Sequence, residues 1–160
     1  MIRDYGTLLH HDSEYATRAA RVSEMMRDIS QVVVQELAGS NALPQRADAA
    51  ARARRVAFHS PCTLQHGLKL RDLIEPLLQR AGYTLTSVAD GHLCCGSAGS
   101  YSLLQPAIAR QLKTNRLAAL QADAPDLIAT ANIGCLLHLA SGTGRPVRHW
   151  IELLAEGLMD

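Results

Sequence analysis

The sequence is poor in aromatic residues: one Trp, one Phe and four Tyr among 160 residues. Without an array of rings, a base-stacking platform for single-stranded nucleic acid is excluded. Charge of one sign is also lacking. Lys and Arg number 16 against 15 Asp and Glu, a net charge of +1 with no basic block, so no electrostatic footprint for a phosphate backbone exists. No apolar run approaches the roughly 20 residues that cross a bilayer, and Met1-Ile2-Arg3-Asp4-Tyr5 does not open a signal peptide. There is no G-x-S-x-G, no P-loop and no G-x-G-x-x-G, which leaves triad hydrolysis and nucleotide binding unsupported. Cysteines are few as well, at four. Without a secretion signal they point to a reducing compartment, where metal or redox chemistry is favoured over disulfides. The reading is a cytoplasmic domain with its own core, since 48% of residues are hydrophobic and 19% charged. Peripheral attachment at the inner face of a membrane stays open.

Two of the four cysteines are adjacent, in His92-Leu93-Cys94-Cys95-Gly96-Ser97-Ala98-Gly99-Ser100-Tyr101. Neighbouring side chains on an extended or looped backbone point in different directions, so paired thiols fill a core badly. Gly96 and Gly99 allow positive φ and let backbone N–H groups approach a thiolate or an anionic cluster. The plain alternative is a Gly-rich turn beside two buried, inert cysteines.

The chain around this stretch alternates helix and strand. Residues 1–39 read as a helical segment, in which a long helix starts at Asp12 or Ser13. It carries Tyr15, Ala19, Val22, Met26, Ile29, Val33 and Leu37 as one apolar stripe, and stops at Gly39-Ser40-Asn41. Residues 40–54, rich in Ala and Arg, read as a linker. From 55 to 160 the pattern predicts an α/β domain. Its strands are Val56–His59, Tyr83–Val88, Asp126–Thr130 and Val147–His149. Its helices are Leu68–Ala81, Pro106–Ala122, a short one from Cys135 to Ala140 and a closing one from Trp150 to Leu158. Pro76 should kink the first of these or mark its boundary. Such a rhythm implies a layered parallel sheet of about four strands with helices on both faces.

On this scheme Cys62 follows strand one, Cys94 and Cys95 follow strand two, and Cys135 follows strand three. In a parallel sheet all four thiols then fall at the carboxyl edge, where open α/β sheets collect ligands. Four gathered thiols suit a metal or an iron–sulfur centre. Cys135, near a helix N-terminus, should have its thiolate stabilised there. His138 stands three residues on and shares its helix face, which makes it a candidate ligand. His59 and His66 flank Cys62 and are candidate cofactor contacts, and His92 precedes Cys94 by two.

His59-Ser60-Pro61-Cys62, Cys94-Cys95-Gly96-Ser97-Ala98-Gly99 and Asn132-Ile133-Gly134-Cys135-Leu136-Leu137-His138-Leu139 together resemble the cysteine-rich CCG domain. That family is represented in heterodisulfide reductases and in the iron–sulfur subunits of glycolate oxidases. The lead-in Tyr5-Gly6-Thr7-Leu8-Leu9 and Asp12-Ser13-Glu14-Tyr15-Ala16 resembles the C-terminal half of the latter. The resemblance implies an electron-transfer module with an iron–sulfur cluster of the 4Fe-4S type. Its implied partners are a flavin-containing glycolate oxidase subunit and, further on, a quinone or the membrane side. Two features depart from the pattern. The C-x₂-C-x₂-C-x₃-C-P runs and a first CCG repeat are absent, so the chain resembles the C-terminal portion of a longer subunit whose N-terminal part would be a further partner. The general motif has C-x-x-C where this chain has Cys135-Leu136-Leu137-His138. Either His138 is a ligand, or Cys62, Cys94, Cys95 and Cys135 bind the metal unaided. A structural zinc or assembly domain using the same thiols is the competing function, and no catalytic residue is expected in the chain itself.

Overall fold

The computed structural model describes residues 2–38 and 54–156. The chain divides into two compact units, Met1–Gly39 and Ser40–Asp160.

In the first unit the expected long helix is broken. It forms α2 (Ala16–Met25) and α3 (Ile29–Leu37), preceded by a single-turn α1 (Tyr5–Leu8). Met26 turns the backbone out to an extended conformation. Asp28 then caps α3, its carboxylate accepting from the Ser30 amide at 2.9 Å while the Gln31 side chain accepts from the Asp28 amide at 3.0 Å. The apolar stripe runs across this break at helical spacing and so conceals it. The deciding signal is Asp28 followed three residues later by Gln31, a capping box. The stop expected at Gly39-Ser40-Asn41 and all of the expected linker except Arg54 lie outside the described residues.

The second unit is the α/β layer that the strand–helix alternation implies. Its elements are β1 (Arg55–His59), α4 (Ile74–Arg80), β2 (Thr84–Leu85), α5 (Tyr101–Leu104), α6 (Pro106–Gln121), β3 (Leu127–Thr130), α7 (Ile133–Ala140), β4 (Val147–His149) and α8 (Trp150–Glu156). All pairings are parallel and the strand order is β2-β1-β3-β4. After β2 the chain crosses from one side of β1 to the other, so with right-handed crossovers the helices fall on opposite faces. Ala57 and Ile128, paired across β1 and β3, face a core with Cys95, Leu117, Leu120, Cys135 and Leu139. On the other face α4 packs against α8, and the Tyr83 hydroxyl donates to the Leu153 carbonyl at 3.1 Å.

Two element expectations change. The helix expected over Leu68–Ala81 is only α4, because Lys69 and Asp72 adopt left-handed φ of 57° and 58° and stop it from starting earlier. Pro76 is consequently the third residue of α4, where its missing N–H has no intrahelical partner to lose, and no kink is required. The second strand is short because its first residue closes the helix. The Tyr83 amide donates to Leu78 and the Gly82 amide to Gln79, with Gly82 at φ 94°, a Schellman ending. Thr84 then enters the sheet.

Candidate metal centre

The strand order reverses between β1 and β3, and there the carboxyl edge opens into a crevice. A cavity of about 470 Å³ lies at that edge, lined by all four cysteines together with Pro61, Ser97, Gly99 and Asn132. A water molecule occupies about 30 Å³ of liquid, so the space holds far more than one ion.

The four thiols arrive on three separately braced segments. After β1, Pro61 accepts from the amides of Leu64 and Gln65, which starts a helical turn at Thr63–Gly67 with Cys62 at its head. The Gln65 amide nitrogen donates to the Ser60 carbonyl at 2.6 Å and to Gly91 at 2.9 Å, tying the loop after β1 to the loop after β2. Cys95 is buried in the core, whereas Cys94 is half-buried and its sulfur accepts from the Gly96 amide at 3.3 Å. Cys135 sits in the first turn of α7. Asn132 caps that helix, accepting from Gly134 at 2.9 Å and from Cys135 at 3.2 Å. The Cys95 and Cys135 sulfurs are 3.1 Å apart, and neither is in a disulfide.

Glycine permits the close approach of these segments. Gly96 has φ 88°, and a Cβ there would lie 2.5 Å from the Ala109 carbonyl oxygen of α6. A Cβ on Gly134 would lie 2.9 Å from the Ser97 hydroxyl. The loop carrying Cys94 and Cys95 is thus clamped between α6 and α7.

The four thiols are not equivalent. A hydrogen bond from Cys135 pulls the Cys95 thiol down to about 4 against the opposing effect of burial, and the neighbouring His59 lowers it further. Cys135 moves the other way, pushed up by that same bond and by burial. The two thiols shift in opposite directions because the pair shares one proton and one negative charge. Burial, with Cys94 beside it, pushes Cys62 up to about 11. In the reduced, metal-free chain the Cys95–Cys135 pair should accordingly hold one thiolate at neutral pH. The folded value of Cys95 lies below the ordinary thiol value of about 8.5. Its contribution to stability is thus complete above that value and is lost as pH falls towards 4, with Cys135 offsetting part of it. The Cβ resonance of ¹³C-labelled Cys95 followed through a pH titration checks this, and a midpoint in the ordinary thiol range would contradict it.

The histidines separate clearly. His59, at the end of β1, is fully buried, and one of its ring nitrogens lies within 4.8 Å of the Cys95 and Cys135 sulfurs. His66 is exposed on the helical turn and does not line the cavity. His138 also lies outside it, with Nε2 3.4 Å from the Ala109 carbonyl. His92 lines a neighbouring cavity of about 380 Å³. Of the two glycines, Gly99 lines the cysteine cavity and Gly96 supports it from behind. One residue escaped the sequence reading: Arg116 of α6, 1% exposed, whose Nε donates to His59 Nδ1 at 3.0 Å. Its signal was present, since Ala109, Leu112, Arg116 and Leu120 follow helical spacing and put a cation in an apolar row.

Comparison with known proteins agrees with this arrangement. The sequence profile of the CCG cysteine-rich domain matches residues 56–140. The chain is 46% identical to the glycolate oxidase iron-sulfur subunit of Escherichia coli K12, over 98% of this chain and 37% of that protein. It is 26% identical to lactate utilization protein A of Anoxybacillus flavithermus, over 96% of this chain and 65% of that one. With the probable glycolate oxidase iron-sulfur subunit of Bacillus subtilis the figures are 28%, 90% and 32%. The chain thus spans between about a third and two thirds of the length of these relatives. The matched segment begins in β1 and ends with α7, enclosing every cysteine of the cavity, and the chain belongs to the CCG family of cysteine-rich domains.

Proposed function

We propose that this chain is an electron-transfer module of a flavoprotein-linked complex that oxidises a 2-hydroxy acid, glycolate being the substrate suggested by the relatives' names. The observation that carries the reading is the convergence of Cys62, Cys94, Cys95 and Cys135 on one cavity at the switch point of the sheet. The donor set fits an iron–sulfur centre of the 4Fe-4S type. Two adjacent cysteines serve one tetrahedral ion awkwardly, but can each take a different iron atom of a cluster. A thiolate shared by Cys95 and Cys135 and a cavity much larger than one ion favour the same choice. The four cysteines would hold the centre, which when bound supplies one-electron redox chemistry. His138, turned to the Ala109 carbonyl, is not required as a ligand. Gly96 and Gly99 shape the loop by their positive φ, and the Gly96 N–H donated to the Cys94 sulfur would tune the potential of a centre bound there.

The partner in this reading is a flavin-containing subunit together with the remaining length of an iron–sulfur subunit. Contact with a quinone or membrane side would be peripheral, since no helix among the described residues is long and apolar enough to cross a membrane. Anaerobic reconstitution of the chain with iron and sulfide should give a visible charge-transfer absorbance that bleaches on reduction, with metal analysis returning iron. Stoichiometric zinc and no iron uptake under the same conditions would instead make this a structural zinc domain.

A further inference from the structure

Arg116 is a buried cation with no carboxylate among its hydrogen-bond acceptors in the described residues. Its Nη1 donates to the carbonyls of Ala89 at 3.2 Å and Asp90 at 2.9 Å, and its Nε donates to His59 Nδ1 at 3.0 Å. A guanidinium is donor-only and stays protonated in proteins. The His59 nitrogen facing it must therefore present a lone pair. A ring whose Nδ1 accepts is not the doubly protonated imidazolium, so it carries its single proton on Nε2. That Nε2 is buried without a hydrogen-bond partner. The backbone of His59 is fixed independently, its carbonyl accepting from the Thr130 hydroxyl at 3.0 Å. With Nδ1 committed to Arg116, Nε2 is the nitrogen left for the Cys95 and Cys135 sulfurs.

We propose that Arg116 is a positioning residue that locks His59 in the Nε2–H tautomer, making His59 a hydrogen-bond donor to the Cys95 sulfur and not a metal ligand. Ligation through Nε2 needs the lone pair that the proton occupies. Moving that proton to Nδ1 would set it against the Arg116 N–H, donor against donor. This assignment deepens the electron-transfer reading and rests on it only for its effect on potential, because an N–H directed at a cysteine sulfur stabilises the reduced state of a centre bound there.

The test begins with the metal-free, reduced 160-residue chain labelled with ¹⁵N-histidine. Two-bond ¹H–¹⁵N correlations should show His59 with a protonated Nε2 and an acceptor Nδ1. In Arg116→Met this tautomer should give way to a mixture, and Arg116→Lys should restore it in part. A wild-type ring protonated on Nδ1 overturns the assignment without needing any variant to fold. In reconstituted protein, His59→Gln keeps an N–H near the sulfur and should retain iron with a potential close to that of the wild type, whereas His59→Leu, which removes the N–H, should lower it. Loss of iron from a folded His59→Gln chain would make His59 a ligand and overturn the proposal. Failure of the wild type to take up iron would instead strike the electron-transfer reading and leave the tautomer result standing.

Discussion

A Cys95→Ser chain, reconstituted anaerobically, is expected to lose the visible band almost completely. Cys95 is 1% exposed, its sulfur lies 3.1 Å from that of Cys135, and its pKa is drawn down to about 4 by the bond to Cys135. Serine keeps the shape but does not ionise in this range, so the site loses a ligand and its resident charge together. Changing a residue that only supports a ligand costs about 10–100-fold in metal affinity, and removing the ligand itself should exceed that. His138→Ala is the contrasting variant. Its imidazole lies outside the cavity against the Ala109 carbonyl, so iron content should be unchanged. A Cys95→Ser protein with wild-type iron and absorbance would remove Cys95 from the ligand set.

Gly96→Ala should be the most damaging single-atom change in the fold. The backbone there has φ 88°, and the new methyl would meet the Ala109 carbonyl oxygen at 2.5 Å and the Leu112 Cβ at 3.1 Å. Strained φ and overpacking each cost about 1–3 kcal/mol, so a loss of about 2–6 kcal/mol is expected. At about 3 °C per kcal/mol for a chain of this size, the melting temperature should fall by about 6–18 °C. Gly99→Ala supplies the control. Its φ is 59°, but nothing lies within 4 Å of the added methyl, so only the backbone cost of about 1–2 kcal/mol applies. Equal melting temperatures for the two variants would refute the clamp between α6 and α7.

Much of this was readable before any coordinates. The alternation of apolar strand and amphipathic helix gave the parallel sheet, and placing Cys62, Cys94, Cys95 and Cys135 after successive strands gave their convergence, because strand direction alone determines which edge receives a loop. Pro106 marked the start of α6 correctly. Where the structure departs from the expectation, the causes are local. The N-terminal stripe is continuous across Met26–Asp28, and periodicity does not register a break that preserves phase. His138 shares a helix face with Cys135, but three residues at 1.5 Å each carry it about 4.5 Å along the helix, away from the edge where the cavity lies. His66 is near Cys62 in sequence only. Arg116 was passed over because a charge in an apolar row reads as an interruption, whereas here the acceptors for it come from β1 and the loop after β2, which no local window contains.

The order of strands also governs when the cavity can exist. Cys62 follows β1, and Cys94 and Cys95 lie in the loop after β2, so these three can assemble as soon as the first crossover closes. Cys135 joins only after the chain has passed back across β1 and laid β3 on its far side, the most sequence-distant pairing in the sheet. Contacts of that kind form late, because the loop must close before they return any energy. A nascent chain halted before β3 would hold three thiols without the fourth. If a centre binds as proposed, its loading at these four cysteines would be a checkpoint on topology, and would staple the last-docked half of the sheet to the first.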